Sequence, residues 1–296
     1  MIDQPKHSKS PDAARRRFRP IPVRMLVPNV ITLLAIGAGL TSIRLAIEGR
    51  MELAVGAIVF AAALDGIDGR IARMIKGQSR FGAELDSLAD FVNFGVAPGL
   101  ILYFWQLHFL SNFGWIAAMI FAIAGALRLA RFNATIDEPK PPFAANYFTG
   151  VPAPAGAITV LLPLYLAFLG WPIPYATLTA GYTLVIAFLM VSRLPVFSGK
   201  MFGRRVSPEM VLPVVVFAVL FVALLIAYPW HILSVGSIVY LLCLPIGWKT
   251  YRDHARKLAA ASPPEGGMEP PATSTSPLVA PPPDAPQDEE RPSRLN

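Results

Sequence analysis

An all-α, polytopic membrane bundle of about eight transmembrane helices, with both termini cytoplasmic, is the fold this sequence predicts. Three observations carry the prediction. Of the 296 residues, 54% are hydrophobic and only 15% charged, against about 25% charged in soluble domains. The apolar residues fall into eight runs, each near the ~20 residues that cross a bilayer. The Lys and Arg residues collect in alternate loops, the asymmetry that sets membrane orientation.

The first run spans about 27–47. The second starts at Leu53 and enters a charged stretch, and the third leaves that stretch near Asp86 and ends near Trp105. The others are about 113–131, 151–171, 175–191, 209–228 and 231–248. Several are short enough for tilted or partial spans. Only Leu53–Leu64 precedes the charged stretch in the second run, so that helix must carry Asp65 and Asp68 on its inner half, facing protein rather than lipid. Basic residues precede the first run (Lys6, Lys9, Arg15, Arg16, Arg17, Arg19, Arg24) and follow the second, fourth, sixth and eighth. Arg44 and Arg50 are the exceptions. With eight spans, the basic loops, both termini and the charged stretch share the cytoplasmic side. The first 25 residues are too polar, and the following run too long, for a cleavable signal peptide.

Three regions result. Residues 1–25 form a basic arm whose Arg15–Arg24 segment, interleaved with Phe18, Ile21, Val23 and Met25, either binds anionic membrane lipid or serves as a topology signal alone. Residues 26–257 form the membrane domain. Residues 258–296 form a disordered tail, since 263–296 hold ten of the 29 prolines and few residues that could bury a core. The net charge of +7 reads as topology and lipid contact, with no nucleic-acid partner. A single cysteine, Cys243, excludes an intrachain disulfide and a cysteine metal cluster. His7, His108, His231 and His254 lack metal-ligand spacing.

The charged stretch, DGIDGRIARMIKGQSRFGAELDSLAD from Asp65 to Asp90, is where function is expected. Ionised groups at membrane depth cost roughly 2.5–3.5 kcal/mol each on insertion scales. Asp65 and Asp68 stand three apart, about 60° around a helix, and Asp86 and Asp90 stand four apart. Each pair shares a face. The polar segment Lys76–Gly82 fits a loop joining two antiparallel helices, which would bring the pairs together. Four such carboxylates repel in a low dielectric and need cations, and all-oxygen ligation favours Mg2+ or Mn2+. Two ions would suit a phosphoryl-type displacement. Gly66, Gly69 and Ala72 allow either a ligand or another helix to approach closely. Arg73 can reach a phosphate on the same side or snorkel to the membrane edge.

The pattern Asp65-x2-Asp68-Gly69-x2-Ala72-Arg73-x8-Gly82-x3-Asp86-x3-Asp90 resembles the signature of the CDP-alcohol phosphatidyltransferases. DSLADFVNFGVAPG (86–99), GALRLARFN (125–133), FTGVPAPAGA (148–157) and PNVITLL (28–34) are similar to its phosphatidylserine synthase branch. The resemblance covers about residues 25–250. It implies transfer of a phosphatidyl group from CDP-diacylglycerol to the hydroxyl of L-serine with release of CMP, and it implies a homodimer. It implies that Asp65, Asp68 and Asp86 hold two divalent ions, and that Asp90 contributes to the second and takes the hydroxyl proton. It implies that Gly69, Arg73 and Ser79, with the Asn29–Thr32 region, contact CDP-diacylglycerol.

For serine, Arg128 and Arg131 are candidate partners of the carboxylate or ordinary membrane anchors, and Asn93 and Asn133 are candidates for its polar end. Asn93 departs from the small hydroxyl residue common in relatives. Glycerol 3-phosphate, an inositol phosphate or choline are the alternative acceptors. A cation transporter would explain the aspartates but not Arg73, Ser79 and the Gly/Ala spacing, and a non-catalytic scaffold would not need all four aspartates. The lack of soluble regulatory domains points to a bacterial-type enzyme of the cytoplasmic membrane.

Overall fold

The apolar runs fold as helices. A computed structural model describes residues 26–75, 79–135, 147–173, 175–197 and 208–261. The chain divides into two compact units, Met1–His254 and Ala255–Asn296. In the second, the described residues 255–261 are helical. The basic arm, the tail beyond residue 261 and Lys76–Gln78 lie outside the described residues.

Helix α1 (Leu26–Ile47) runs into α2 (Met51–Ile75) through a tight turn. Gly49 adopts φ +75° there. Its N–H donates to the Ala46 carbonyl at 3.0 Å, and the Arg50 N–H donates to the Leu45 carbonyl at 2.9 Å. These are the paired bonds with which a left-handed glycine closes a helix end. The two helices therefore lie antiparallel and pack along their length.

α3 (Arg80–Asp90) begins inside the segment expected to be loop. The cause is local: Ser79 caps it, its Oγ accepting the Gly82 N–H at 3.0 Å, and satisfies one orphan donor of the first turn. The same rod continues through a π-helical turn (Phe91–Val96) into α4 (Ala97–Trp105). The widened turn precedes Pro98, which cannot donate to the Phe94 carbonyl and crowds it. A π turn relieves that conflict.

A short 3-10 turn (Leu107–Leu110) leads to α5 (Asn112–Ala134). After α5 the all-α expectation is modified. β1 (Tyr147–Thr149) pairs antiparallel with β2 (Pro195–Phe197), Phe148 opposite Val196. Between them lie α6 (Ala153–Val160), α7 (Leu162–Phe168) and α8 (Ala176–Val191). α9 (Pro208–Ala227) and α10 (Pro229–Ala261) follow.

Among the described residues, five helical stretches are long and apolar enough to cross a membrane: Leu26–Ile47, Arg80–Trp105, Asn112–Ala134, Met210–Ala227 and Pro229–Asp253. The other three expected runs are also helical. α2 carries the charged motif, the 151–171 run breaks at Leu161 into α6 and α7, and α8 has 16 residues. The protein is an integral membrane protein by these helices. α9 exposes almost its whole circumference, as a helix solvated by hydrocarbon can.

The core lies where α5 and α8 meet the α3–α4 rod. Phe94, Ile101, Leu102, Phe121, Ile186 and Met190 are buried there. The rod and α5 touch backbone to backbone: a Cβ on Gly125 would stand 3.1 Å from the Gly95 Cα. This crossing is of the close, small-residue kind that packs helices in membranes. Gly125→Leu is expected to destabilise the fold by about 1–3 kcal/mol through overpacking. Gly37→Leu, where nothing lies within 4 Å of the new Cβ, is expected to be near neutral. Thermal unfolding midpoints in detergent would check both.

Candidate active site

Helical periodicity and the turn at Ser79 put the aspartates together. Carboxylate oxygens of Asp65 and Asp68 on α2 and Asp86 on α3 lie within 4.8 Å of one another. Asp68 is 3% exposed. Asp90, at the end of α3, reaches the Asp65 carboxylate with one oxygen, while its Oδ1 is buried without a hydrogen-bond partner. Among the described residues no ion pair neutralises these groups: those present join Glu48 to Arg44 and Arg50 at the far turn. Several carboxylates at this spacing in a poorly screening medium require positive charge. The donor set is all oxygen, converges from two helices and keeps an unsatisfied acceptor. It fits hard divalent cations.

α1 holds this cluster from the side. The Thr32 hydroxyl donates to Asp68 Oδ2 at 2.7 Å and also lies 3.0 Å from the Pro28 carbonyl. It thus orients a would-be ligand, the role that outer partners play around metals. Asn29, one turn earlier, meets the start of α3, where a Cβ on Gly82 would stand 2.8 Å from Asn29 Oδ1 and 3.1 Å from Ser79 Oγ. Arg73 is exposed and folds back along α2, its Nη1 3.5 Å from where a Cβ on Gly69 would stand. It acts electrostatically on Asp86. Thr32 and Arg73 thus act on the carboxylates directly, while Asn29 and Ser79 meet at Gly82 near the start of α3.

The four residues expected at the acceptor separate. Arg131 Nη1 donates to the Val191 carbonyl at 2.6 Å and ties α5 to the end of α8. Asn133 Nδ2 donates to Ser87 Oγ at 2.9 Å, linking α5 to α3. Both side chains are engaged in joining helices. Arg128, one turn deeper, is different. Its Nε is buried without a partner, and its guanidinium lies within electrostatic range of Asp90 and of Tyr240 of α10. Asn93, on the π turn, is 1% exposed and neither amide atom has a partner. It packs directly against Gly39 of α1, where a Cβ would collide with the Asn93 side-chain oxygen.

Two contributions escaped the sequence reading. The contact of Thr32 with Asp68 depends on how α1 packs on α2. Tyr240 lies more than a hundred residues from the motif, and the available signal was its place, with Ser234 and Ser237, in an otherwise apolar span.

The family model for CDP-alcohol phosphatidyltransferase matches residues 25–192, and that for CDP-alcohol phosphatidyltransferase 2 matches residues 209–245. The chain is similar to the CDP-diacylglycerol--serine O-phosphatidyltransferase of Mycobacterium leprae, 38% identical over 259 residues, covering 84% of this chain and 82% of that protein. It is similar to the protein of that name from Mycobacterium tuberculosis, 38% identical over 77% of this chain and 79% of the other. That from Helicobacter pylori is 36% identical, covering 77% and 93%. The chain belongs to the CDP-alcohol phosphatidyltransferase family.

Thr32→Val, which keeps the shape and removes the donor to Asp68, is expected to weaken divalent-cation binding roughly 10–100-fold. Thr32→Ser is expected to restore most of it. Mn2+ titration followed by electron paramagnetic resonance would read both without any turnover.

Proposed function

We propose that this phosphatidyltransferase transfers the phosphatidyl group of CDP-diacylglycerol to the hydroxyl of L-serine, yielding phosphatidylserine and CMP. The observation that carries the reading is the carboxylate cluster of Asp65, Asp68 and Asp86, set beside a buried, unsatisfied Asp90 oxygen. The names of the similar proteins supply the acceptor.

Asp65, Asp68 and Asp86 would hold two divalent ions, Mg2+ or Mn2+, with Asp90 contributing to the second. Such ions supply Lewis-acid neutralisation of the diphosphate and of the leaving CMP. Arg73 adds positive charge on the outer side, and Gly69 beneath it leaves the α2 backbone open to a phosphate. Asn29 and Ser79, at the paired starts of α1 and α3, offer polar contacts to the nucleotide. Serine's hydroxyl is a weak nucleophile unless a base is placed beside it. Asp90 Oδ1 is the one acceptor of the cluster both buried and lacking a hydrogen-bond partner, which suits it to receive that hydroxyl. The serine oxygen attacks the β-phosphorus, the new P–O bond forming as the bond to CMP breaks. The proton passes to Asp90 and the bonding electrons leave on CMP.

Arg128, whose buried Nε lacks a partner, is placed to meet the serine carboxylate, and Asn93 to meet its polar end. Arg131 and Asn133 act at one remove, by fixing the end of α5 against α8 and α3. In this reading the enzyme is a homodimer in a bacterial cytoplasmic membrane. Its site opens to the cytoplasm, where serine and CMP are soluble, and its basic arm lies on anionic lipid.

Purified protein in detergent with CDP-diacylglycerol and Mn2+ is expected to release CMP only when serine is added, and to stop when the metal is chelated. Release without any alcohol, or only with glycerol 3-phosphate, inositol phosphate or choline, would overturn the acceptor. Asp90→Asn is expected to lower turnover at least ~100-fold, the scale of a lost general base, while CDP-diacylglycerol still binds. Full activity in that variant would exclude Asp90 as the base.

A further inference from the structure

The last helix carries a polar stripe that the mechanism above does not use. Ser234, Ser237 and Tyr240 follow one another at helical spacing on the inward side of α10, beside Leu233, Leu241 and Leu244 of the core. Ser234 is 3% exposed and Ser237 is 1% exposed. The hydroxyls of all three are buried without a hydrogen-bond partner. Hydroxyls in apolar helices ordinarily turn back to the carbonyl four residues earlier, as Thr159 and Thr183 do here at 2.7 and 2.8 Å. The hydroxyls on α10 do not. Leaving them unpaired is costly unless something else satisfies them.

The same condition holds across from them. Arg128 Nε, both amide atoms of Asn93 and Asp90 Oδ1 are also buried and unpartnered. Tyr240 lies within electrostatic range of the Arg128 guanidinium, and Arg128 within range of Asp90. Asn93 follows Asp90 by one turn of the same rod. Arg128 thus stands in electrostatic range of both the proposed base and Tyr240 of α10.

Their chemistry is mixed in a particular way. Arg128, Asn93 and Tyr240 offer N–H and O–H donors, while Asp90 and Asn93 offer acceptors. An amino acid with a side-chain hydroxyl presents the complement: a carboxylate that only accepts, an ammonium that only donates, and the hydroxyl that reacts. The guanidinium alone supplies the charge that answers the carboxylate. A phenol beside it adds a donor without adding a second charge to a poorly screening site.

We propose that Tyr240 is a specificity-determining residue: its hydroxyl, together with the Arg128 guanidinium, donates to the carboxylate of the amino-acid acceptor. The inference rests on serine being that acceptor. It brings α10 into a site otherwise made from α1, α2, α3, the π turn and α5, and gives a binding role to a segment outside the aspartate motif.

The test is Tyr240→Phe, measured beside the wild type with CDP-diacylglycerol, Mn2+ and varied L-serine. The ring packing is kept and only the hydroxyl is lost, so KM for serine is expected to rise roughly tenfold, the effect of a lost hydrogen bond to a charged group. The maximal rate and KM for CDP-diacylglycerol are expected to change less than about twofold, the pattern of lost ground-state binding to one substrate. Because the hydroxyl has no partner in the fold, the unfolding midpoint of the variant is expected to match or exceed that of the wild type. An unchanged KM for serine, a parallel rise in both KM values or a lowered midpoint would each overturn the proposal, the last two by marking a structural role. Wild-type CMP release that ignores serine would instead overturn the acceptor reading, and the proposal with it. That result is distinct from serine-dependent release that the substitution leaves untouched.

Discussion

Mutual repulsion of carboxylates is the constraint around which this part of the molecule is arranged. Asp65, Asp68 and Asp86 hold oxygens within 4.8 Å of one another. At an effective dielectric near 20, each such pair of charges repels by about 3 kcal/mol. Three pairs together reach the scale of a whole domain's net stability, roughly 5–15 kcal/mol. The cluster can persist ionised only if bound cations answer it and the backbone cannot relax away. The surrounding structure supplies the second condition. α1 and α2 are locked antiparallel by the Gly49 turn, α1 packs on α3 and on α4, and Thr32 holds Asp68 in place at 2.7 Å. The nearby cation, Arg73, stays exposed over Gly69 and acts on Asp86 through space, which leaves room for charge to enter from outside.

A second group of polar atoms, buried and unpartnered, adjoins the first. Asp90, Asn93 and Arg128 keep unsatisfied atoms in buried positions, and the fold spends packing quality to keep them there. The π turn at Phe91–Val96 places Asn93 against Gly39, a contact that tolerates no side chain on α1 at that position. The crossing of Gly95 with Gly125 draws α5 close enough for Arg128 to act on Asp90. Arg131 and Asn133 secure the same helix at its end, through Val191 and Ser87. Small residues at the crossings and polar residues between them are two halves of one device: the first brings backbones near, and the second uses the space that results.

The parts legible in the sequence were those governed by short-range periodicity. Asp65 with Asp68, and Asp86 with Asp90, share faces because a helix repeats every 3.6 residues. The polar break between them indicated antiparallel helices, although Ser79 begins α3 earlier than the break suggested. Arg128 and Arg131 looked equivalent, three residues apart on one helix. They part company because one lies a turn inside the bundle and the other reaches the open carbonyls at the end of α8, a difference set by where a neighbouring helix stops. The π turn arose from Pro98 meeting the demands of packing, and the β1–β2 ribbon from two short segments that bracket α6, α7 and α8. Neither has a periodic signature. Tyr240 was the hardest to read, since Arg128, within its electrostatic range, is more than a hundred residues away in the chain.

That distance has a functional consequence. The donor half of the site is built from α1, α2 and α3, contiguous in sequence, where the spacing of charges leaves little freedom. The proposed acceptor half draws on the π turn, α5 and α10, where Asn93, Arg128 and Tyr240 keep buried polar atoms without partners. Under the proposed function, substitutions in α5 or α10 would change which alcohol is accommodated without moving an aspartate, whereas a change in the spacing from Asp65 to Asp90 would disturb the carboxylate cluster itself. Under the proposed function, chemistry and selectivity fall to different helices and meet at Asp90, one of whose carboxylate oxygens reaches Asp65 while the other is buried without a hydrogen-bond partner.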